Sequence, residues 1–185
     1  GPRLHADNRW EKGTDNWYAR AMTQTATSFP IRPITPDEWP VMRAMDELAF
    51  GGPMPDEVAE IEKELFPWER SLGSYDGDLL VGVAAAFRLR LAVPGGAVRP
   101  MAGVTWVAVR PSHRRRGLTR AHMQRQLHDL YEAGDEAVAG LWASEPGIYG
   151  RFGYGLASQS LGVTVERPAR LIDVPTDPTL QLRLV

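Results

Sequence analysis

The feature that most constrains the fold of this chain is a β-branched run followed by an arginine-rich turn. Residues 104–109 read VTWVAV, Pro111 follows, and Arg114-Arg115-Arg116-Gly117 then precedes a segment with helical spacing. The first N–H groups of a helix have no partner within the helix, and the helix dipole places partial positive charge there. A glycine in the turn lets an anionic oxygen approach the backbone. This order predicts a pyrophosphate site, and a solvated basic turn is the alternative.

The rest of the chain alternates between strand-like and helix-like segments. Alternating or β-branched runs predict strands over 29–34, 71–75, 79–91, 98–109, 136–143 and 156–165. Helical spacing predicts helices up to Phe50, over 55–65 and over 118–133, and a short helical turn over 146–151. Thr35 and Glu38 have the spacing of a capping box for the first helix. The pattern indicates a mixed α/β (α+β) fold.

The apolar positions of the predicted helices assign their buried faces. The inward residues are expected to be Trp39, Met42, Met45, Leu48 and Ala49 in the first helix, Val58, Ile61 and Leu65 in the second, and Met123, Leu127, Leu130 and Tyr131 in the third.

Two motifs carry a resemblance to a known family. Arg114-x-x-Gly117-x-Thr119 resembles the acetyl-CoA signature of the GCN5-related N-acetyltransferases, although Thr119 departs from its small last residue. Ile148-Tyr149-x-x-x-Gly153-Tyr154 resembles the aromatic element that closes that fold. The stretches HRRRGL (113–118) and ASEPGIYGRFGYG (143–155) together are similar to the Eis (enhanced intracellular survival) aminoglycoside and lysine N-acetyltransferases.

The resemblance implies a GCN5-related acetyltransferase fold, with a mostly antiparallel mixed sheet flanked by helices, and the direct transfer of an acetyl group from acetyl-CoA to a primary amine. It implies that main-chain groups of two strand residues hold the pantetheine arm and that the basic turn holds the phosphates. The cofactor-binding residues expected on this basis are Val107, Val109, Arg114, Arg115, Gly117, Leu118, Thr119 and Ser144. Both valines also suit a core, and His113 is expected to be a surface residue.

The same resemblance assigns the chemistry. Tyr149 corresponds to the residue beside the CoA sulfur and is the candidate general acid, because a phenol is protonated at neutral pH. The alternative is a packing tyrosine, the role expected for Tyr154. Trp106 and Phe50 are expected to border the amine pocket, where a tryptophan can pack against a cationic amine. For Trp106 core filling is an equal alternative.

A general base is missing from the central strand, because residues 101–109 contain no carboxylate and no histidine. In the Eis family the base is the C-terminal carboxylate, contributed by a third domain. The sequence therefore resembles an N-terminal part of a longer enzyme whose full-length form is a homohexamer, and an unusually short relative is the alternative. Glu145 is the first residue to examine as a base within this chain.

Composition narrows the function classes. The net charge of −2 disfavours general binding of nucleic acid or acidic membranes. The absence of cysteine excludes an acyl-cysteine route and disulfides. No metal, membrane span or signal peptide is expected, which favours the cytoplasm. Two rival functions stay open: a non-catalytic acetyl-CoA sensor, favoured by the missing base, and a nucleic-acid or phospho-ligand adaptor using Arg114–Arg116.

The expected domain organisation has three parts. Residues 1–21 resemble a tag or leader, since Gly1-Pro2 is like a cleavage scar and Met22 suits a native start. Residues 22–170 form the acetyltransferase domain. Residues 171–185 form a linker into a second domain.

Overall fold

The computed structural model describes residues 28–159, together with Gly162, Thr164, Arg167 and Thr179. The chain divides into two units, Gly1–Tyr154 and Gly155–Val185, and the sheet and helices belong to the first. Apart from Thr179, the expected extension (1–21) and linker (171–185) lie outside the described residues.

Within the described residues, five strands in sequence order form one mixed sheet. They are β1 (Ile31–Arg32), β2 (Ser71–Asp76), β3 (Leu79–Ala92), β4 (Val98–Val109) and β5 (Val138–Leu141). The pairs β1–β2, β2–β3 and β3–β4 are antiparallel, and β4–β5 is parallel. The helices are α1 (Trp39–Phe50), α2 (Asp56–Leu65) and α3 (Leu118–Ala133). The predicted α/β class, with a mostly antiparallel mixed sheet, is confirmed.

Helix α1 begins where the sequence predicts. The Glu38 carboxylate accepts hydrogen bonds from the main-chain N–H and the hydroxyl of Thr35, each at 3.0 Å. A 3₁₀ turn, Pro36–Glu38, leads into α1, which ends at Gly51 with a left-handed φ of 77°. Trp39, Met42 and Met45 are buried as predicted. Ala49 packs against the same core.

Two predictions of buried faces were wrong in the helical pair. Leu48 of α1 is about half exposed, and Val58, Ile61 and Leu65 of α2 are all exposed, Leu65 at 66%. The buried residue of α2 is Ala59, which lies about 100° around the helix axis from Val58. The small side chain of Ala59 packs against the core cluster, so α2 turns its longer apolar side chains outward.

Helix α3 buries a more polar face than its apolar pattern predicts. Met123 is fully buried, but the other three predicted inward residues (Leu127, Leu130 and Tyr131) are only half-buried. His122 and Gln126 are buried instead. No helix among the described residues is long and apolar enough to cross a membrane.

The last predicted strands differ from the structure. Strand β5 is shorter than the predicted 136–143, so Trp142 lies beyond its end and is 97% exposed. Residues 156–159, Gly162 and Thr164 are in no strand, and the other residues of the predicted strand 156–165 lie outside the described part of the chain. Two 3₁₀ turns, Pro146–Ile148 and Gly150–Phe152, form the predicted helical turn.

Candidate functional site

Strands β4 and β5 pair only over a short distance, because β5 ends at Leu141. Their register runs from Met101 opposite Val138 to Val104 opposite Leu141. Beyond Val104, the assigned strand pairing of β4 continues only with β3. The main chain of residues 105–109 is therefore open, on the β5 side, to an extended ligand that binds as an added strand.

A β-bulge shapes this open part of β4. Ala108 is opposite Val83 and Thr105 is opposite Ala85, so two residues of β4 face the single position between them on β3. Trp106 lies in this bulge with a φ of 53°. The extra residue changes the alternation of side chains. Val107 consequently packs in the same cluster as Val104, three positions earlier.

The opening leads into a cleft of about 940 Å³. It is bordered by the end of α1, the open part of β4, the basic turn, and the segment between β5 and Tyr149. The predicted site residues that line it are Phe50, Trp106, Val107, Val109, Arg114, Arg115, Gly117, Leu118, Thr119, Ser144 and Tyr149. The structure thus brings every sequence-predicted site residue to one cleft, while their roles stay predictions.

The basic turn presents main-chain donors to this cleft. Gly117 precedes α3 with a φ of 81°, which glycine adopts without strain, and no side chain caps the helix. The first hydrogen bond within α3 runs from Ala121 N–H to Gly117 O, at 2.9 Å. Leu118 is only 1% exposed and packs in a core cluster. Any contact of Leu118 with an anion would therefore be through its N–H group.

Positive charge is concentrated at this end of the cleft. Arg114 and Arg115 are exposed and line it, as predicted for phosphate contacts. Arg115 has a φ of 63°, a conformation rare for a residue with a side chain. The motif comparison missed two further arginines of the cleft: Arg120, in the first turn of α3 at this end, and Arg151, on the turn that follows Tyr149. These guanidinium groups suit an anion with several phosphate oxygens.

Tyr149 lies between two 3₁₀ turns at the other border of the cleft. It is 9% exposed, and its ring contacts that of Tyr154 edge-on at 5.8 Å. Burial, and then the nearby Glu145 carboxylate, raise the pKa of Tyr149 above its usual value. The phenol therefore keeps its proton at neutral pH, as a general acid requires. Tyr154 is half-buried and packs, as expected.

Glu145 is the one carboxylate among the described residues that line the cleft. It directly precedes the turn Pro146–Ile148, four positions before Tyr149, and is exposed. Residues 105–109 contribute no acid to the cleft. Among the described cleft residues, a carboxylate base would thus have to act from the Tyr149 segment and not from β4.

Aromatic side chains form the remaining border. Trp106 lines the cleft but also packs against Trp39 at 5.8 Å and Phe66 at 5.4 Å. It thus fills core space, and its role toward an amine stays a prediction. Phe50 is largely exposed at the end of α1. Trp142 also lines the cleft. Sequence reasoning missed it because the strand predicted to residue 143 included it.

His113 is not the surface residue that the sequence suggested. It is 7% exposed, because its ring packs edge-on against Phe29 at 5.5 Å. Its Nε2 lies 3.1 Å from Asp76 Oδ2, and its Nδ1 lies 2.9 Å from Ser112 Oγ. The side chain is a junction between the basic turn and the end of β2. No local pattern could show this, since Asp76 is far away in the sequence.

Comparisons with known proteins agree with this geometry. The family described as an acetyltransferase (GNAT) domain matches residues 30–157. An uncharacterised N-acetyltransferase of Streptomyces avermitilis is 44% identical over 78% of this chain and 36% of its own length. The N-acetyltransferase Eis of Mycobacterium bovis is 44% identical over 72% of this chain and 34% of its own.

A solved structure also resembles this chain. Eis1 from Mycobacterium abscessus superimposes with a TM-score of 0.61 at 39% identity, covering 68% of this chain and 31% of that one. The chain spans about a third of the length of the curated relatives it matches. These relatives confirm the resemblance to Eis that the two motifs carry. The GNAT profile covers most of the sequence and all the elements that border the cleft, and the chain therefore belongs to the acetyltransferase (GNAT) domain family.

Proposed function

We propose that this chain binds acetyl-CoA and transfers its acetyl group directly to a primary amine. The observation that carries the proposal is the single cleft that joins the basic turn, the open main chain of β4 and the buried Tyr149. These three parts match the three parts of the donor: its phosphates, its extended pantetheine arm and its thioester.

Each part of the cleft offers groups that fit. The pyrophosphate is bound by Arg114, Arg115 and the first N–H groups of α3. The pantetheine arm hydrogen-bonds to the main chain of Val107 and Val109, where β4 has no β5 partner. Ser144, exposed on the facing segment, contacts the same arm.

The reaction needs an acid and a base. Acetyl-CoA supplies a thioester whose carbonyl carbon is attacked by the amine nitrogen. A C–N bond forms, the C–S bond breaks, and Tyr149 gives its phenolic proton to the departing sulfur. The nitrogen loses one proton to a base. Glu145 is the candidate on this chain, and the resemblance to Eis supports a C-terminal carboxylate in a full-length enzyme.

The acceptor is an amine of the aminoglycoside, polyamine or lysine type. Trp106, Phe50 and the exposed Trp142 border the cleft, and aromatic faces attract cationic groups. The resemblance to Eis supports the same acceptor classes. It also supports a homohexameric full-length form.

A non-catalytic acetyl-CoA-binding domain is the second candidate function. The observation that favours it is the position of Glu145, an exposed carboxylate that is the one acid among the described cleft residues. Binding without turnover would then be the activity of this chain.

Calorimetry with acetyl-CoA, followed by an acceptor panel of an aminoglycoside, a polyamine and a lysine peptide, tests both functions. We expect binding and amine acetylation. Binding without acetylation of any acceptor would favour the sensor function. No binding of acetyl-CoA at any concentration up to the millimolar range would refute both, and salt-sensitive binding of nucleic acid would then favour the adaptor function.

A further inference from the structure

His113 joins three separate parts of the chain beneath the basic turn. Its Nε2 is 3.1 Å from Asp76 Oδ2, at the end of β2. Its ring contacts Phe29, ahead of β1, and its Nδ1 is 2.9 Å from Ser112 Oγ. A neutral imidazole suits both bonds, because Nε2–H donates to the carboxylate while Nδ1 accepts from the hydroxyl.

The same residue is joined through the backbone to the turn that follows it. His113 N–H donates to Arg110 O at 2.8 Å, and Arg110 N–H donates to Val81 O at 2.9 Å on β3. The next two residues, Arg114 and Arg115, line the cleft. Arg116 lies 6.0 Å from the centre of the Phe29 ring, so the turn packs on the residue that His113 contacts.

The turn needs such an anchor, since its conformation is unfavourable by itself. Arg115 has a left-handed φ of 63°, and Gly117 has a φ of 81° two residues later. A side-chain-bearing residue holds a left-handed φ only where its surroundings enforce it. The contacts of His113, two residues before Arg115, tie the turn to the sheet close to this strained position.

We propose that Asp76 and His113 are positioning residues that hold the basic turn in its anion-binding conformation and so set the affinity for the phosphate-bearing part of the donor. The inference rests on the proposed function. His113 borders the cleft, but both of its ring nitrogens are within hydrogen-bond distance of protein oxygens, so in this proposal the ring acts through the turn and takes no direct part in acetyl transfer. Tyr149 belongs to another segment and is unaffected.

The experiment compares two ligands that differ only in the phosphate-bearing part. CoA carries the adenosine phosphates and the pyrophosphate, and pantetheine carries only the arm and the thiol. Dissociation constants for both are measured by NMR titration on the wild type and on Asp76→Ala, His113→Leu and His113→Gln. Asp129→Ala, which removes a surface carboxylate paired with Arg125 on α3, is the matched control.

Asp76→Ala and His113→Leu are expected to weaken CoA binding about tenfold, the scale of one hydrogen bond to a charged group. His113→Gln keeps an N–H donor toward Asp76 and is expected to recover most of the affinity. The double variant Asp76→Ala/His113→Leu should lose no more than His113→Leu alone, because that substitution has already removed the bond to Asp76. Pantetheine binding is expected to be unchanged throughout.

Equal losses for CoA and pantetheine would mean a general structural role and would overturn the inference, as would unchanged CoA affinity. Asp76 is more than half exposed, so its variant provides the test if His113→Leu does not fold. A wild type that binds neither ligand would instead overturn the proposed function, and the inference with it.

Discussion

At the scale of single residues, the side chain and the backbone of Arg115 favour different residue types. Its guanidinium group lines the cleft, but its backbone has a left-handed φ of 63° that only glycine adopts without cost. A glycine at position 115 would relieve the backbone and lose the charge. The presence of arginine at this strained position is therefore consistent with a role in binding an anion.

Replacing Arg115 separates these two effects. Arg115→Ala is expected to weaken acetyl-CoA binding by about 1–3 kcal/mol, the scale of a hydrogen bond to a charged group. Arg115→Gly should bind equally weakly but unfold at a higher temperature than Arg115→Ala, because glycine tolerates the positive φ. Calorimetry measures the affinity for acetyl-CoA, and thermal unfolding measures the stability of each variant. Arg125→Ala, an exposed arginine on α3 outside the cleft, is the control. An unchanged dissociation constant in Arg115→Ala would reject the phosphate contact.

The hydroxyl of Tyr149 is the second residue-scale test. Tyr149→Phe is expected to lower kcat by about 10²–10⁴-fold and to leave acetyl-CoA affinity nearly intact. Because the pKa of Tyr149 is raised, its phenol stays protonated through neutral pH. The contribution of this acid to the wild-type rate should therefore be lost only at a pH above the usual pKa of tyrosine. Tyr154→Phe changes the neighbouring ring and is the matched control. A Tyr149→Phe enzyme with wild-type kcat, when chemistry limits turnover, would exclude this acid.

At the scale of elements, helix α3 is held to the sheet partly by a buried polar contact. His122 is fully buried, and its Nε2 is hydrogen-bonded to Ser74 Oγ on β2. Burial lowers the pKa of His122 to about 4. Protonation of this ring would place an uncompensated charge between α3 and the sheet, so the packing of the helix is coupled to pH.

The pH dependence of stability tests this coupling. Above the ordinary histidine pKa of about 6.5, folded and unfolded chains both hold a neutral ring. As the pH falls toward 4, the unfolded chain takes up a proton that the folded chain does not, so the unfolding free energy decreases. The loss is on the order of 3 kcal/mol at most. His122→Gln should remove this part of the slope in chemical denaturation, and His128→Gln should not. Identical slopes in all three proteins would contradict the coupling.

Elements that depend on local sequence could be predicted, and elements that depend on tertiary contacts could not. Strand β4, the basic turn and α3 follow from a β-branched run, a glycine and helical spacing, and the structure gives β4 and α3 their predicted bounds. The rotation of α2 onto Ala59 depends on tertiary packing, since Ala59 lies in the core cluster with residues of other elements. The bulge at Trp106 and the end of β5 at Leu141 depend on the neighbouring strands.

The candidate site likewise contains residues that local motifs predict and residues that only tertiary contacts place. Its residues could be assigned because two short motifs carry them, and all of them line one cleft. Trp142 could not be assigned because the strand before it ends earlier than its sequence predicts. The buried junction at His113 could not be assigned because Asp76 lies on a distant strand.

At the scale of the whole molecule, the question is where the proton of the amine goes. An alkylammonium has a pKa near that of lysine, about 10.4, so on the order of one molecule in a thousand is the free amine at neutral pH. Glu145 is the one acid among the described cleft residues, and it is exposed. Efficient deprotonation by this chain alone is therefore not expected.

Acetylation by this chain is expected to be slow at pH 7 and to rise with pH as free amine appears. Rates with an aminoglycoside and with a lysine peptide are measured from pH 6.5 to 10, with Glu145→Gln beside the wild type. Glu57→Gln, an exposed acid on α2, is the control. A flat, fast profile that Glu145→Gln abolishes would show that Glu145 is the base. The same profile in Glu145→Gln would point to another group.

The parallel pairing of β4 with β5 has a consequence for the order of folding. The hairpins β2–β3 and β3–β4 close short loops, whereas Val138 reaches Met101 only after the whole of α3 has been placed. Closing the longer loop costs more chain entropy, and the contacts that offset this cost form only after the loop has closed. The cleft is then among the last parts of the molecule to assemble during refolding. Recovery of ligand binding after dilution from denaturant should lag behind formation of the β2–β3 and β3–β4 hairpins.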